Sequence, residues 1–527
     1  MEIDLRAIFA TIFLILSFLG YSLFIKNKFK INTYFLPFLI FTSYISLIYV
    51  FAQLALMKEF VIISNVIGLI LFVRAYRNGL KLKWLLPEYI IFFVIIGIIG
   101  LVLNGKHLYV QDDFGHWGVL ARLLLRTDHL NTVHETRIDY TAYPQASAYF
   151  IYGLVRLIGY SESRMLVANA ILVISGVFCL FSSIKDYKKD IVKIILLVVL
   201  GVFACFYDIR FQSLRVDTVI ATTAFGIFAY IYYTDVNNYK NLYFAIPMFV
   251  SLVLVKTSAI LFASVAIAYL FIKYYRVSKK LVFVNIAALL MAFLSWKNHV
   301  KYNFSLGSKH AVSVNRYEKI FEQKDRETII KISREFLKRV GTDYFIIGLI
   351  ILLILIYLIY NRDKIIRNLI MLVIFFYAIY QLGNYFTYIF SMDVGEALRL
   401  ESYDRYIRTT HIYLVMISIY ILSLDYNINN VLNLLFGALL IFTCYFSELI
   451  APSTQRQMEA IEKFNRMRDE EEIPPGKRIL VKFKERDNSR LYTRIVMFTF
   501  DTSEVKDTFV GDEKQFNKED FDYIIEE

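Results

Sequence analysis

The apolar runs leave this chain few ways to fold. Mostly hydrocarbon stretches, each long enough to cross a bilayer as a helix, recur at 7–25, 35–56, 60–76, 85–103, 162–184, 191–207, 217–233, 241–255, 257–275, 281–296, 344–360, 368–390, 411–426 and 431–449. Lipid offers backbone N–H and C=O groups no partners, so such runs must satisfy them internally as helices. The expectation is an all-α polytopic membrane protein with about 14 transmembrane helices. Composition supports it: 57% of the 527 residues are hydrophobic, 17% are aromatic and only 7 are Pro. With a mean hydropathy of +0.52, a soluble globule is excluded. Cys179, Cys205 and Cys444 all fall inside apolar runs and read as small buried hydrophobes, with no disulfide or metal spacing. No cleavable signal is expected, because Met1-Glu2-Ile3-Asp4 is acidic and the first run is long enough to stay in the membrane.

The net charge of +12 is spread over short connectors rather than gathered into a patch. That pattern argues against nucleic acid and for loops facing anionic lipid. Of the connectors 26–30, 74–83, 185–190, 234–240, 273–280, 362–367 and 425–430, five carry three or four basic residues, which assigns this set to the cytoplasmic side. Both termini then face out, as do the polar regions 104–161, 297–343, 391–410 and 450–527. The expected organisation is a four-helix membrane module at 1–103, an outside loop at 104–161, a transmembrane core at 162–449 with outside loops 297–343 and 391–410, and a small outside α/β domain at 450–527. Within the first loop, 114–125 and 149–158 have apolar residues at helical spacing and are expected to lie in the membrane interface. The last region predicts a helix over 454–469, a turn at Pro474-Pro475-Gly476 and strands over 478–483 and 521–525.

Chemistry concentrates where the fourth run ends. Gln111-Asp112-Asp113-Phe114-Gly115-His116-Trp117 places two carboxylates ahead of an amphipathic helix. A helix starting near Asp113 would put Asp112 at its N-cap and Asp113 in its first turn, where the dipole favours ionised acids. His116 and Trp117 would share the face of Asp113. Capping explains one acid and leaves the pair beside a histidine unexplained. A carboxylate here can take a proton from a hydroxyl, or hold a divalent ion for a phosphate leaving group. Asp112, Asp113 and His116 are the available metal ligand set, and the spacing leaves metal use open.

Other charges stand out by position. Lys256 sits between two apolar runs with almost no connector, so it is either a snorkelling lysine or a phosphate ligand. Arg405 lies just before a late run and offers the planar fork that suits a phosphate. Arg210, Arg215 and Asp217 share a short connector, where an internal ion pair is the default. His134, Glu135, Arg137, Asp139 and Tyr143 could line an acceptor cleft through hydrogen bonds and ring stacking.

Taken together, these features resemble the GT-C class of membrane glycosyltransferases, which use polyprenyl-phosphate sugars. The resemblance rests on the acidic pair opening the first large outside loop, Tyr143-Pro144 before a second loop helix, Ser213-Leu214-Arg215-Val216-Asp217 opening an apolar run, Lys256 at a tight turn, and Asp404-Arg405-Tyr406 ahead of a late span. It implies Asp112 as the catalytic carboxylate with Asp113 as the second acid, Lys256 and Arg405 on the donor phosphate, and His116, His134, Tyr143, Arg210 and Asp217 toward substrate. Its implied partners are a polyprenyl-phosphate-linked sugar, a glycan or lipid-linked acceptor and the bilayer, at the cytoplasmic membrane with the site facing outward. One departure is that four runs precede the acidic loop, where the common layout has one. Two alternatives stay open: a polymerase or ligase of polysaccharide repeat units that relies on arginines, and a transporter or flippase. The latter calls for mid-membrane polar groups and repeated halves, and neither is visible.

Overall fold

The computed structural model describes residues 4–78, 86–131, 138–186, 189–207, 211–304, 314–360, 362–425, 437, 455–470, 473–483, 489–502, 505–509 and 520–526. These residues are overwhelmingly helical. Among the described residues, seven helices are long and apolar enough to cross a bilayer: Leu5–Phe29, Thr33–Gln53, Met57–Arg77, Glu162–Ser183, Lys279–Asn303, Lys364–Phe390 and Tyr403–Leu424. Arg326–Gly341 and Tyr344–Ile359, bent by 41° at a short break, together make an eighth. Glu88–Leu103, Ala146–Ile158, Ile191–Cys205 and Ala259–Tyr274 are apolar but shorter. The membrane part is thus all-α, and among the described residues it has fewer full-length spans than the fourteen expected.

Only part of the difference has a physical cause. The run 431–449 lies outside the described residues, apart from Gly437. The runs at 217–233, 241–255 and 257–275 fold as Asp217–Tyr233, Ala245–Val253 and Ala259–Tyr274, of 17, 9 and 16 residues. Each is shorter than the roughly 20 residues of a typical span, and Ala245–Val253 continues directly from the 3₁₀ helix Val236–Phe244. Polar residues set the breaks, with Asp217 opening one helix and Lys256 sitting in the turn between the other two.

Packing places Asp217–Tyr233 at the centre. It is buried from Asp217 to Ile231 and lies against Tyr403–Asp425, Ala259–Tyr274 and Glu162–Phe178. The first four helices also pack on later parts of the chain. Leu36–Gln53 packs on Ala245–Val253 and on Ala146–Ile158, and the Ser46 hydroxyl donates to the Pro247 carbonyl at 2.7 Å. Leu5–Phe29 and Met57–Arg77 cross at two glycines. A Cβ on Gly20 would stand 1.9 Å from the Gly68 carbonyl oxygen, and one on Gly68 would meet Ser17 Oγ at 2.1 Å. This is the close backbone approach that small residues permit between helices in lipid.

Both helices of the first loop are covered by protein rather than laid on lipid. Ala146–Ile158 is buried without a break from Ala146 to Gly153. Gly118–Thr127 buries Val119, Leu120, Leu123 and Leu124, and its arginines reach the C-terminal segment. Arg122 donates to the Phe498 carbonyl, and Arg126 lies 3.5 Å from Asp501. That segment contains helices Gln455–Asp469 and Ser489–Thr499 and strands Ile479–Phe483, Val505–Phe509 and Tyr523–Glu526. Ile479–Phe483 is the middle strand and pairs in parallel with both others, Ile479 opposite Val505 on one side and Tyr523 on the other. Arg468, from the first of these helices, pairs with the buried Glu162 at 3.2 Å.

Candidate functional site

Asp112 is not an N-cap. The helical turn already begins at Gln111, Asp112 has helical angles (φ −62, ψ −27), and its side chain caps nothing. Its carboxylate instead meets Arg405, with Oδ2 2.6 Å from Nη1. A π-helical turn, Asp113–Trp117, follows directly. Such turns are uncommon and occur often at functional sites. Gly115 within it is required by a close approach, since a Cβ there would stand 2.2 Å from Asp139 Oδ2. The Asp139 backbone N–H donates to the Gly115 carbonyl at 2.9 Å, and Arg494 pairs with the Asp139 carboxylate.

Arg405 also approaches Asp217, Nε to Oδ2 at 3.5 Å. The other oxygen of Asp217 lies 3.2 Å from Lys256 Nζ. The result is an alternating row, Asp112–Arg405–Asp217–Lys256, with neighbours of opposite charge. Tyr406 lies under both cations, 5.3 Å from Lys256 Nζ and 5.4 Å from the Arg405 guanidinium, and Tyr143 is 5.6 Å from Lys256. Cation–π contacts of this kind gain strength where water is excluded. The row borders a cavity of about 320 Å³ whose wall also includes Trp117, Asp139, Tyr140, Glu396, Arg399 and Glu401.

The wall segment after Lys364–Phe390 is held in an unusual backbone path. Leu400 (φ 49) and Ser402 (φ 62) adopt left-handed conformations that side-chain-bearing residues seldom take. Buried Lys324 fixes the start of the segment, its Nζ donating to the Ile389 and Met392 carbonyls at 2.7 and 2.6 Å. Tyr388 fixes the end, its hydroxyl donating to the Glu401 carbonyl at 3.0 Å.

Asp113 lies apart from the cavity. It is fully buried, and its Oδ1 accepts from the Leu214 N–H at 3.1 Å and the Ser213 hydroxyl at 3.5 Å. Its Oδ2 is buried with no hydrogen-bond partner among the described residues. Burial pushes its pKa up to about 8, opposed by nearby Arg215, so the neutral acid is favoured where water is excluded. Adjacent helical residues point about 100° apart, which is why the pair does not share one face.

His116 is likewise buried, among the rings of Trp117, Tyr140 and Tyr143 at 4.3, 5.3 and 5.7 Å. Burial, aided by the charge of Lys256, lowers its pKa to about 3, leaving the imidazole neutral. It backs the aromatic wall and does not line the cavity.

Of the residues singled out from sequence, Asp112, Asp139, Tyr143, Asp217, Lys256 and Arg405 converge on the cavity, whereas Asp113 and His116 stand behind it. His134 and Arg210 lie outside the described residues. Asp112, Asp113 and His116 turn in three directions and do not fit one metal ion, and among the described residues no three His, Cys, Asp or Glu gather as a metal would require. Sequence reasoning passed over Glu396, Arg399 and Glu401, which look like ordinary loop charge. Their one signal was membership of a polar region between two spans. Compared with protein-family models, curated proteins and solved structures, the chain has no match.

Proposed function

We propose that this protein is a membrane glycosyltransferase that moves a sugar from a polyprenyl-phosphate carrier to a cell-envelope glycan or other extracytoplasmic acceptor. The observation that carries the reading is the convergence of Asp112, Asp217, Lys256 and Arg405, from four separate parts of the chain, on one cavity. Ionisable groups held at a membrane boundary are costly, and those facing a cavity mark substrate paths. Asp112 acts as general base on the acceptor hydroxyl and inverts the sugar's anomeric centre. Lys256 and Arg405 take up charge on the phosphate as it leaves. Trp117, Tyr140 and Tyr143 offer apolar ring surface beside polar groups, as a binding pocket for a sugar requires.

The positive-inside pattern of the connectors favours a cytoplasmic membrane location with this site facing outward. The C-terminal segment and both termini lie on that same face. The basic test is incubation of the purified protein with polyprenyl-phosphate sugars and candidate acceptors, following release of polyprenyl phosphate. No release with any such donor, while lipid flipping proceeds in vesicles, would replace the enzyme by a flippase. A polymerase or ligase relying on arginine would lose activity in Arg405→Ala and keep it in Asp112→Asn.

A further inference from the structure

Asp112 and Asp217 flank the same arginine, yet they are held very differently. The Asp217 side chain is 5% exposed, contacts both cations through separate oxygens, and stands on the first turn of the central buried helix. The Asp112 side chain is 27% exposed, its ion pair to Arg405 is single, and it stands on a turn that gives way at once to the π-helical distortion. Removing Asp217 from the row would take the carboxylate from Lys256 and leave Arg405 on Asp112 alone. Removing Asp112 would leave Arg405 still held by Asp217.

We infer that Asp217 is a permanent positioning residue for Lys256 and Arg405, whereas Asp112 is an exchangeable partner that the donor phosphate displaces from Arg405, so that the base is freed only after the donor binds. This rests on the transfer reading above. A carboxylate paired with a guanidinium is a poor base, because taking a proton would forfeit the pair. A phosphate can meet the planar fork of the guanidinium through two oxygens, where Asp112 meets it through one. Once displaced, Asp112 takes the proton of the acceptor hydroxyl. The acceptor oxygen then bonds to the anomeric carbon, and the bond from that carbon to the phosphate oxygen breaks with its electron pair staying on the phosphate. One negative charge has moved from Asp112 to the phosphate, beside the two cations that Asp217 keeps in place. Binding is therefore ordered, donor before acceptor.

The test uses the full-length protein in lipid nanodiscs and a hydrophobic carbodiimide, which modifies carboxyl groups that can take up a proton. Undecaprenyl phosphate is the probe, with inorganic phosphate in parallel to separate the headgroup's effect from that of the chain. Modification of Asp112, followed by peptide mass spectrometry, should rise about threefold or more with undecaprenyl phosphate. In Arg405→Ala it should already be fast without ligand and should not rise further. Asp217→Asn should weaken carrier binding, measured by thermal shift, by about tenfold, with Asp217→Glu recovering part of it and ligand-free Asp112 modification staying slow. If the carrier binds and Asp112 modification in the unaltered protein stays constant or slows, the exchange is wrong while the transfer reading stands. Unchanged carrier affinity in Asp217→Asn overturns the positioning role. If the carrier does not bind and no donor is turned over, both ideas fall together.

Discussion

The helix Tyr403–Asp425 carries two buried polar clusters about two turns apart, and they are built to different ends. Near its start, Arg405 stands in the charged row beside the cavity, with Asp112 partly open to solvent. Deeper in, His411 holds Asp343 through Nε2 at 2.9 Å and meets the Tyr207 hydroxyl through Nδ1 at 3.0 Å. The Tyr377 hydroxyl donates to the same Asp343 oxygen at 2.7 Å, and the Ile346 N–H donates to the other at 3.2 Å. This second cluster is closed, its groups matched to one another, and it fastens the break before Tyr344–Ile359 to the late helix. Buried charge in a membrane protein therefore does not by itself mark a site. The charge that marks one borders space and has a partner it can release.

The largest expected effect belongs to the open cluster. Asp112→Asn should lower the transfer rate by about a thousandfold with an unchanged melting curve; near-normal release of polyprenyl phosphate by the purified variant would dissolve the contrast. Asp343→Ala should do the reverse, costing about 3 kcal/mol of stability as a partner is stripped from a buried pair. Its folded fraction should keep the donor KM of the unaltered protein. Lost turnover without a melting shift would move the closed cluster into the reaction. Arg494→Ala, which frees Asp139 from its partner in the C-terminal segment, should raise the acceptor KM by about fivefold and leave the donor KM unchanged.

The smallest effect concerns Asp113. Its folded-state pKa is raised from 3.8 to about 8, so the stability gained from the bound proton is complete below the lower value and is lost as pH rises through the upper one. Melting measured at about pH 6 and about pH 9 should fall across that interval in the unaltered protein and fall less in Asp113→Asn. An equal fall in both would mean that Asp113 is ionised in the folded state.

The site residues legible in the sequence were those whose charge interrupts hydrocarbon. Lys256 had no loop to explain it, Asp217 opens an apolar run, and Arg405 directly precedes one. The C-terminal segment adds a strand, Val505–Phe509, and a helix, Ser489–Thr499, to those expected, and both are short. The two aspartates were harder to tell apart. Capping rules describe a helix that starts cleanly, and here the turn begins earlier and then widens at Asp113, which sends one acid to the cavity and the other into the interior. Arg494 was out of reach for a different reason: its partner Asp139 lies hundreds of residues earlier, and nothing local to either reports the pairing. Among the described residues fewer helices than expected have full span length, because hydropathy registers hydrocarbon and not the polar turns that divide it.

The separation in sequence between Asp112 and Arg405, 293 residues, bears on how the molecule is made. Asp112 is synthesised and delivered to its side of the membrane long before the helix that supplies its cation. During that interval Asp112 lacks the cation it meets in the folded molecule, a costly state for a carboxylate near lipid that ends when the late helix docks. The row of charges thus doubles as a register of assembly: a late helix that fails to dock leaves Asp112 without its cation, while Asp217 and Lys256 keep each other.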